Sequence, residues 1–182
     1  MRDLSLHILD IIENSIRAGA TVIWVTVAEY PDRDLLEVIV EDNGAGLPVT
    51  PEQALDPFYT TKKGKRTGLG LSLFRGAAER AGGDLTIGQS ELGGVAVKAT
   101  MQLSHVDRSP LGDLAATLSS VVCTNPDLEL RCRLVAGEQE CTVQVADVAR
   151  ELPIGERCGL AVARRVSEKI REGLSVIGVT ES

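Results

Sequence analysis

With 182 residues, 43% of them hydrophobic, the chain can bury one sizeable core, or one core plus a small second module. Its net charge of −7 and pI near 4.9 speak against a nucleic-acid-binding surface, which needs an excess of Lys and Arg. No apolar run reaches membrane-spanning length, and the opening "MRDLSLHILDII" carries acids inside its apolar pattern, unlike a signal peptide; a cytoplasmic protein with neither membrane nor nucleic acid among its partners is expected.

The spacing of Leu4, Ile8, Ile11, Ile12, Ser15 and Ile16 predicts a helix over residues 3–18, closed by Gly19. Asp10 and Asn14, four residues apart, stand one above the other on one face of it. A carboxylate and a carboxamide so stacked can hold a metal-bound polyanion and a water, or form a solvated stripe. "TVIWVTVAEY" and "DLLEVIVED" follow as strands joined by "PDR", and in the second Leu36, Val38, Val40 and Asp42 share a face, so its apolar side ends in a carboxylate.

The turn "NGAGLP" brings Gly44 and Gly46, which let a flat ligand approach the backbone while Asp42 accepts a hydrogen bond from an amine; alternatively it is a tight turn after a strand. Residues 49–66 are polar and turn-rich, with a short helical candidate at 51–55, and are expected to form a loop or lid. Gly68 and Gly70 then open a helix over about 69–81, whose N-terminal amides suit phosphate, and Lys62, Lys63, Lys65 and Arg66 add positive charge nearby. Gly82 and Gly83 stop that helix, and "DLTIGQS" and "GVAVKATMQL" pair as strands. The order is α+β.

"SHVDRSPLGD", residues 104–113, is polar and turn-forming and predicts a boundary between a domain at 1–105 and a small αββα module at 110–182. In that module helices are expected at 111–122 and 156–173, around a hairpin turning at "GE" whose one face carries Leu128, Leu130, Cys132, Leu134, Cys141, Val143 and Val145. The four cysteines are spaced too widely for paired metal knuckles, and the middle two fit as small core residues.

Five stretches in order resemble the boxes of the GHKL superfamily of ATP-binding domains (gyrase, the heat-shock chaperone, histidine kinase, MutL): "DIIEN", "DNGAG", "PFYTTK", "TGLGL" and "GGVAV", spread over residues 7–103. "PFYTTK…TGLGLSL" is most similar to the histidine-kinase branch, whereas "ENSIRAGAT" echoes the MutL form. The resemblance implies a Bergerat-type two-layer α/β sandwich with a mixed sheet that binds ATP and Mg2+. It implies that Asn14 ligates magnesium, that Asp42 reads the adenine amine, and that Gly44 and Gly46 shape the purine pocket. Thr60, Thr61 and Lys62 of the third box, with Thr67, Gly68, Leu69 and Gly70 of the fourth, would then surround the phosphates. Asp10 falls where hydrolysing branches place a glutamate that activates water, and a carboxylate beside a hydrated magnesium can orient one of its waters.

The sequence departs from the pattern in three places: Asp10 is one methylene shorter than glutamate, Arg66 stands where many kinases have glycine, and Ala96 and Val97 follow the last box where an aromatic is common. His7 lies on the Asp10 and Asn14 face, either near the phosphates or packed or solvated, and His105 reads as a linker residue. Neither sits in the helical hairpin that carries a kinase phosphoacceptor. The function expected is therefore transfer of the ATP γ-phosphate in trans to a separate phosphoacceptor or regulatory protein in bacterial signalling. A non-catalytic ATP-gated module and an anti-sigma-type serine kinase are the alternatives, and the C-terminal module could support a homodimer.

Overall fold

The computed structural model describes residues 3–56 and 69–179, with Leu69 described by its backbone alone. Thr60, Thr61, Lys62, Thr67 and Gly68, together with most of the expected lid, lie outside the described residues.

The first helix, α1 (Leu4–Arg17), buries Leu4, Ile8, Ile11, Ile12 and Ser15, the stripe that its spacing predicts. Strands β1 (Val22–Tyr30) and β2 (Leu35–Asp42) follow, joined by a 3-10 turn at Pro31–Arg33. A short helix α2 (Pro51–Leu55) opens on a capping box between Thr50 and Gln53. Next come α3 (Leu69–Arg80) and the antiparallel pair β3 (Asp84–Gln89) and β4 (Val95–Gln102). The last third holds α4 (Leu114–Thr124), β5 (Glu129–Ala136), β6 (Gln139–Gln144), α5 (Val145–Glu151) and α6 (Leu160–Ile177).

All six strands form one mixed sheet in the order β3-β4-β2-β1-β5-β6, with β1 and β5 parallel and every other neighbour antiparallel. The register aligns Val97, Val40, Val25, Cys132 and Val143 in one row and Ala99, Val38, Val27, Leu134 and Cys141 in the next, so period-2 alternation gives the sheet one continuous apolar face. Helix α3 lies against β3 and β4, α1 against β1 and β2, and α6 against β5 and β6, with α4 between α1 and α6. This is the two-layer α+β sandwich that the sequence leads one to expect.

The C-terminal αββα stretch adds its hairpin to the edge of this sheet, and its apolar residues belong to the same core as α1 and β1. The segment between the two parts is tied down as well. Pro110 and Leu111 accept hydrogen bonds from the amides of Leu4 and Ser5 at 2.9 Å each, satisfying the first turn of α1, whose N-cap Asp3 makes no side-chain cap. Because Pro110–Gly112 are used this way, α4 begins at Leu114, capped by Asp113, rather than at 111.

Two further boundaries differ from the sequence expectation. Residues 145–151 form α5 although "TVQV" alternates as a strand should, since Val148 is drawn into the core. Helix α6 starts at Leu160 and runs past Gly173 to Ile177. Gly173 does not stop it. A Cβ there would stand 2.8 Å from Cys141 Sγ, so glycine is what lets the helix approach the sheet.

Candidate nucleotide site

Asp42 ends the apolar face of β2 and is only 4% exposed. A buried carboxylate is tolerated only when hydrogen bonds replace its water. Here Oδ2 accepts the Ser15 hydroxyl at 2.5 Å, and Oδ1 accepts the backbone N–H of Gly44 at 2.9 Å and of Val95 at 3.1 Å. A carboxylate has about four acceptor positions, so three are used within the protein and one, on Oδ2, is left for a donor.

The strand end is held from the other side by Asn43. Its Oδ1 accepts the amides of Thr21 and Val22 at 2.9 Å each, while its Nδ2 donates to Thr21 Oγ1 at 3.0 Å. Gly44 then backs onto the end of α1, and Gly46 adopts φ +83°, which turns the chain away from the strand. Ala45 N–H donates to the Ala18 carbonyl at 3.0 Å, so the "DNGAG" turn is fastened to α1.

Gly94 closes the pocket of the carboxylate. A Cβ at this position would fall 2.1 Å from Asp42 Oδ1, and its N–H donates to the Asp42 carbonyl at 3.0 Å. Ser15, Gly94 and Val95 are thus site residues to which the sequence assigned no role. The signals were present, since Ser15 follows Asn14 and Gly94 belongs to "GGVAV", but the convergence of the three on one carboxylate exists only once α1, β2 and β4 are packed together.

Asp10 is half-buried one turn before Asn14 and backs onto Gly70 in the first turn of α3, where a Cβ would lie 3.4 Å from Asp10 Oδ2. A carboxylate there faces the positive end of the helix. Asn14 is exposed, and its Oδ1 accepts from the Arg17 guanidinium at 2.5 Å. Along α1, from the half-buried Asp10 at Gly70 through the exposed Asn14, the chain thus leads to the buried Ser15–Asp42 pair.

The donor set suits magnesium of one kind. Among the described residues no group of three or more His, Cys, Asp or Glu is placed to hold a metal ion. Asn14 offers a single amide oxygen on an exposed side chain, engaged by Arg17, which fits an ion that keeps its waters and arrives on the phosphates of a nucleotide rather than one caged by protein.

His7 is the packed alternative. It is 3% exposed and stacks on Phe74 with ring centres 4.8 Å apart and planes 6° from parallel, so it supports α3 against α1. His105 sits in the turn after β4, its Nδ1 accepting the Asp107 amide at 3.1 Å. Val97, where an aromatic is common in the superfamily, fills the core between Val40 and Ile87, and Ala96 lies on the opposite face.

A stretch of 57 residues, 30% of the chain, is 44% identical to the sensor kinase CckA of Brucella abortus, and 100 residues, 52% of the chain, are 33% identical to a sensor-like histidine kinase of Rhizobium meliloti. The chain spans only 6% and 19% of those relatives. The ATP binding domain of PrrB from Mycobacterium tuberculosis aligns over 54% of this chain and 67% of its own length, at 23% identity and a TM-score of 0.41. The profile of the histidine kinase-, DNA gyrase B- and HSP90-like ATPases matches residues 2–105, which is more than half of the chain and takes in Asp10, Asn14, Asp42, Gly70 and Gly94. The chain belongs to that ATPase family.

Proposed function

We propose that the chain binds Mg-ATP along α1 and transfers the γ-phosphate in trans to an acceptor on a separate protein. The observation that carries this reading is the Asp42 carboxylate, buried and fixed by Ser15, Gly44 and Val95, with one acceptor position on Oδ2 left over that a ligand amine could fill. Adenine has such an amine, and guanine presents a carbonyl in its place. Asn14 would ligate the magnesium that accompanies the phosphates, and the ion would neutralise charge on them as they react. Asp10, on α1 and facing the first turn of α3, would orient the attacking group. Thr60, Thr61, Lys62, Thr67, Gly68 and the Leu69–Gly70 backbone would hold the phosphate oxygens.

The test is incubation with γ-labelled ATP, magnesium and candidate acceptor proteins, following both acceptor label and free phosphate. Label transferred to an acceptor supports the reading. ATP binding with neither transfer nor release would leave a nucleotide-gated module in its place.

A further inference from the structure

The sheet has a second face, turned away from the helices and from Asp42, and it is unusual in composition. The chain holds one Trp, two Tyr and two Phe, yet Trp24 and Tyr30 both stand on this outer face of the central strand β1. The Arg131 guanidinium lies 4.7 Å from the Trp24 ring centre, and that of Arg33 lies 5.3 Å from the Tyr30 ring centre. Half-buried aromatics covered by arginine are the composition of interface centres rather than of solvent-facing sheet.

Charge on this face is distributed by strand. The register places Glu41 of β2, Trp24 of β1 and Arg131 of β5 side by side in one row. Of the other charges on the face, Lys98 pairs with Glu37 at 2.5 Å and Arg133 with Glu140 at 2.6 Å, while Glu129 on β5 forms no ion pair among the described residues. Among the described residues Arg131 has no carboxylate partner, and Glu41 accepts only the Ser90 hydroxyl, at 3.3 Å. The row therefore carries an acid and a base, neither in an ion pair, on either side of a tryptophan.

We propose that this face is the interface with a second copy of the chain, related by a two-fold axis running parallel to β1 over Trp24. That operation exchanges left and right while keeping the row, so Glu41 of each copy meets Arg131 of the other and the two Trp24 rings meet at the axis. A two-fold axis running across the strands over the same row would instead set Glu41 against Glu41 and Arg131 against Arg131 of the other copy, which like charges oppose. Glu129, one row beyond Arg131, meets the neutral Asn43 in the favoured arrangement. Sheets stack face to face at about 10 Å with strands within about 30° of alignment, which suits the parallel axis. Six strands about 4.8 Å apart and about seven residues long offer roughly 650 Å² of planar face, close to the ~800 Å² per partner of a stable interface.

The experiment uses the full chain, sedimentation across the micromolar range and the emission of its one tryptophan. A reversible dimer is expected, with Trp24 emission moving to shorter wavelength as it forms. Glu41→Arg and Arg131→Glu should each weaken the dimer tenfold or more. An equimolar mixture of the two should restore it, because both contacts then become Arg–Glu again. The double variant Glu41→Arg/Arg131→Glu should likewise dimerise alone, which keeps the test open if one single variant fails to fold. A chain that stays monomeric, a dimer indifferent to both reversals, or failure of both the mixture and the double variant to recover would overturn the assignment.

Discussion

The Ser15 hydroxyl reaches across 27 residues of sequence to donate to Asp42 Oδ2 at 2.5 Å, while two backbone N–H groups are aimed at Oδ1. Backbone amides cannot reverse, but a hydroxyl can. In Asp42→Asn the carboxamide must keep its oxygen toward Gly44 and Val95 and turn its NH2 toward Ser15 and the ligand. Ser15 can rotate to accept, so the fold should hold to within about 1 kcal/mol, whereas the adenine amine meets a second donor. ATP affinity should fall roughly 10- to 100-fold, the range of a lost charge-assisted hydrogen bond. Preference for ATP over GTP should shrink with it, since guanine's carbonyl can take the new donor. Calorimetry with both nucleotides checks this, and equal affinities of the unmutated protein for ATP and GTP would remove Asp42 as the adenine-reading group.

Helix α6 meets the sheet where Gly173 faces Cys141 and Leu134. Glycine to alanine inside a helix ordinarily gains up to about 1 kcal/mol. Here the new Cβ would stand 2.8 Å from Cys141 Sγ and 3.3 Å from Leu134 Cδ1, so Gly173→Ala should instead lose ~1–3 kcal/mol through overpacking. Cys141→Ala removes the sulfur and should recover most of that loss in the double variant. Denaturant unfolding of the four members of the cycle measures the coupling directly, and additivity would show that the helix is not held at this spacing.

Glu29 lies at the end of the apolar face of β1, and its burial raises its pKa from the ordinary 4.5, an effect that nearby Arg108 opposes. A raised folded pKa means that the folded state holds the proton more tightly than the unfolded chain does. The associated stability is full below pH 4.5 and is lost as the pH rises through the raised value. Glu29→Gln carries no charge at any pH, so it should match the parent near pH 4 and exceed it at pH 7. The side chain is only partly buried and solvent screens much of the effect, so the gain should be at most about 0.5 kcal/mol, or about 1–2 °C in Tm. Thermal melts at the two pH values check the sign. A lower Tm for the variant at pH 7 would mean that the pairing with Arg108 outweighs burial.

What the sequence made legible was local and periodic. The stripe of α1, the alternation that carries Leu36 to Asp42 and the "GE" hairpin turn each depend on residues close in the chain, and each is found as the spacing predicts. Contacts that decide the site are not of that kind. Ser15, Gly94 and Val95 converge on Asp42 from α1 and β4, and nothing in the spacing of "NS" or "GGVAV" shows a shared carboxylate. The same limit applies to α6: that the helix runs on through Gly173 to Ile177 follows from the close approach of Cys141, which the spacing of the helix does not show. The polar run 104–113 caps α1 through the carbonyls of Pro110 and Leu111, groups that any sequence possesses, so no side chain in it marks the contact.

The separate roles assigned to Asn14 and Asp10 lead to the most discriminating experiment. Asn14 is exposed and its side chain is bonded only to Arg17 among the contacts described for it, so Asn14→Ala should cost little stability. If its oxygen ligates the ion that bridges protein and phosphates, the variant should lose the magnesium-dependent part of its ATP affinity, leaving weak binding that no longer responds to magnesium. Asp10→Asn keeps the shape that fits against Gly70 and changes only charge and proton affinity. A group that orients the attacking atom matters chiefly in the transition state, so this variant should bind ATP within a few-fold of the parent. Its phosphate transfer or release should fall roughly 10²-fold or more, the usual scale for a general acid–base group. Titrations with and without magnesium, paired with single-turnover assays, separate the two effects. Should Asp10→Asn turn over ATP at the parent rate, the carboxylate facing the start of α3 would be a structural contact to that helix, and the orienting group would have to be sought elsewhere around the phosphates.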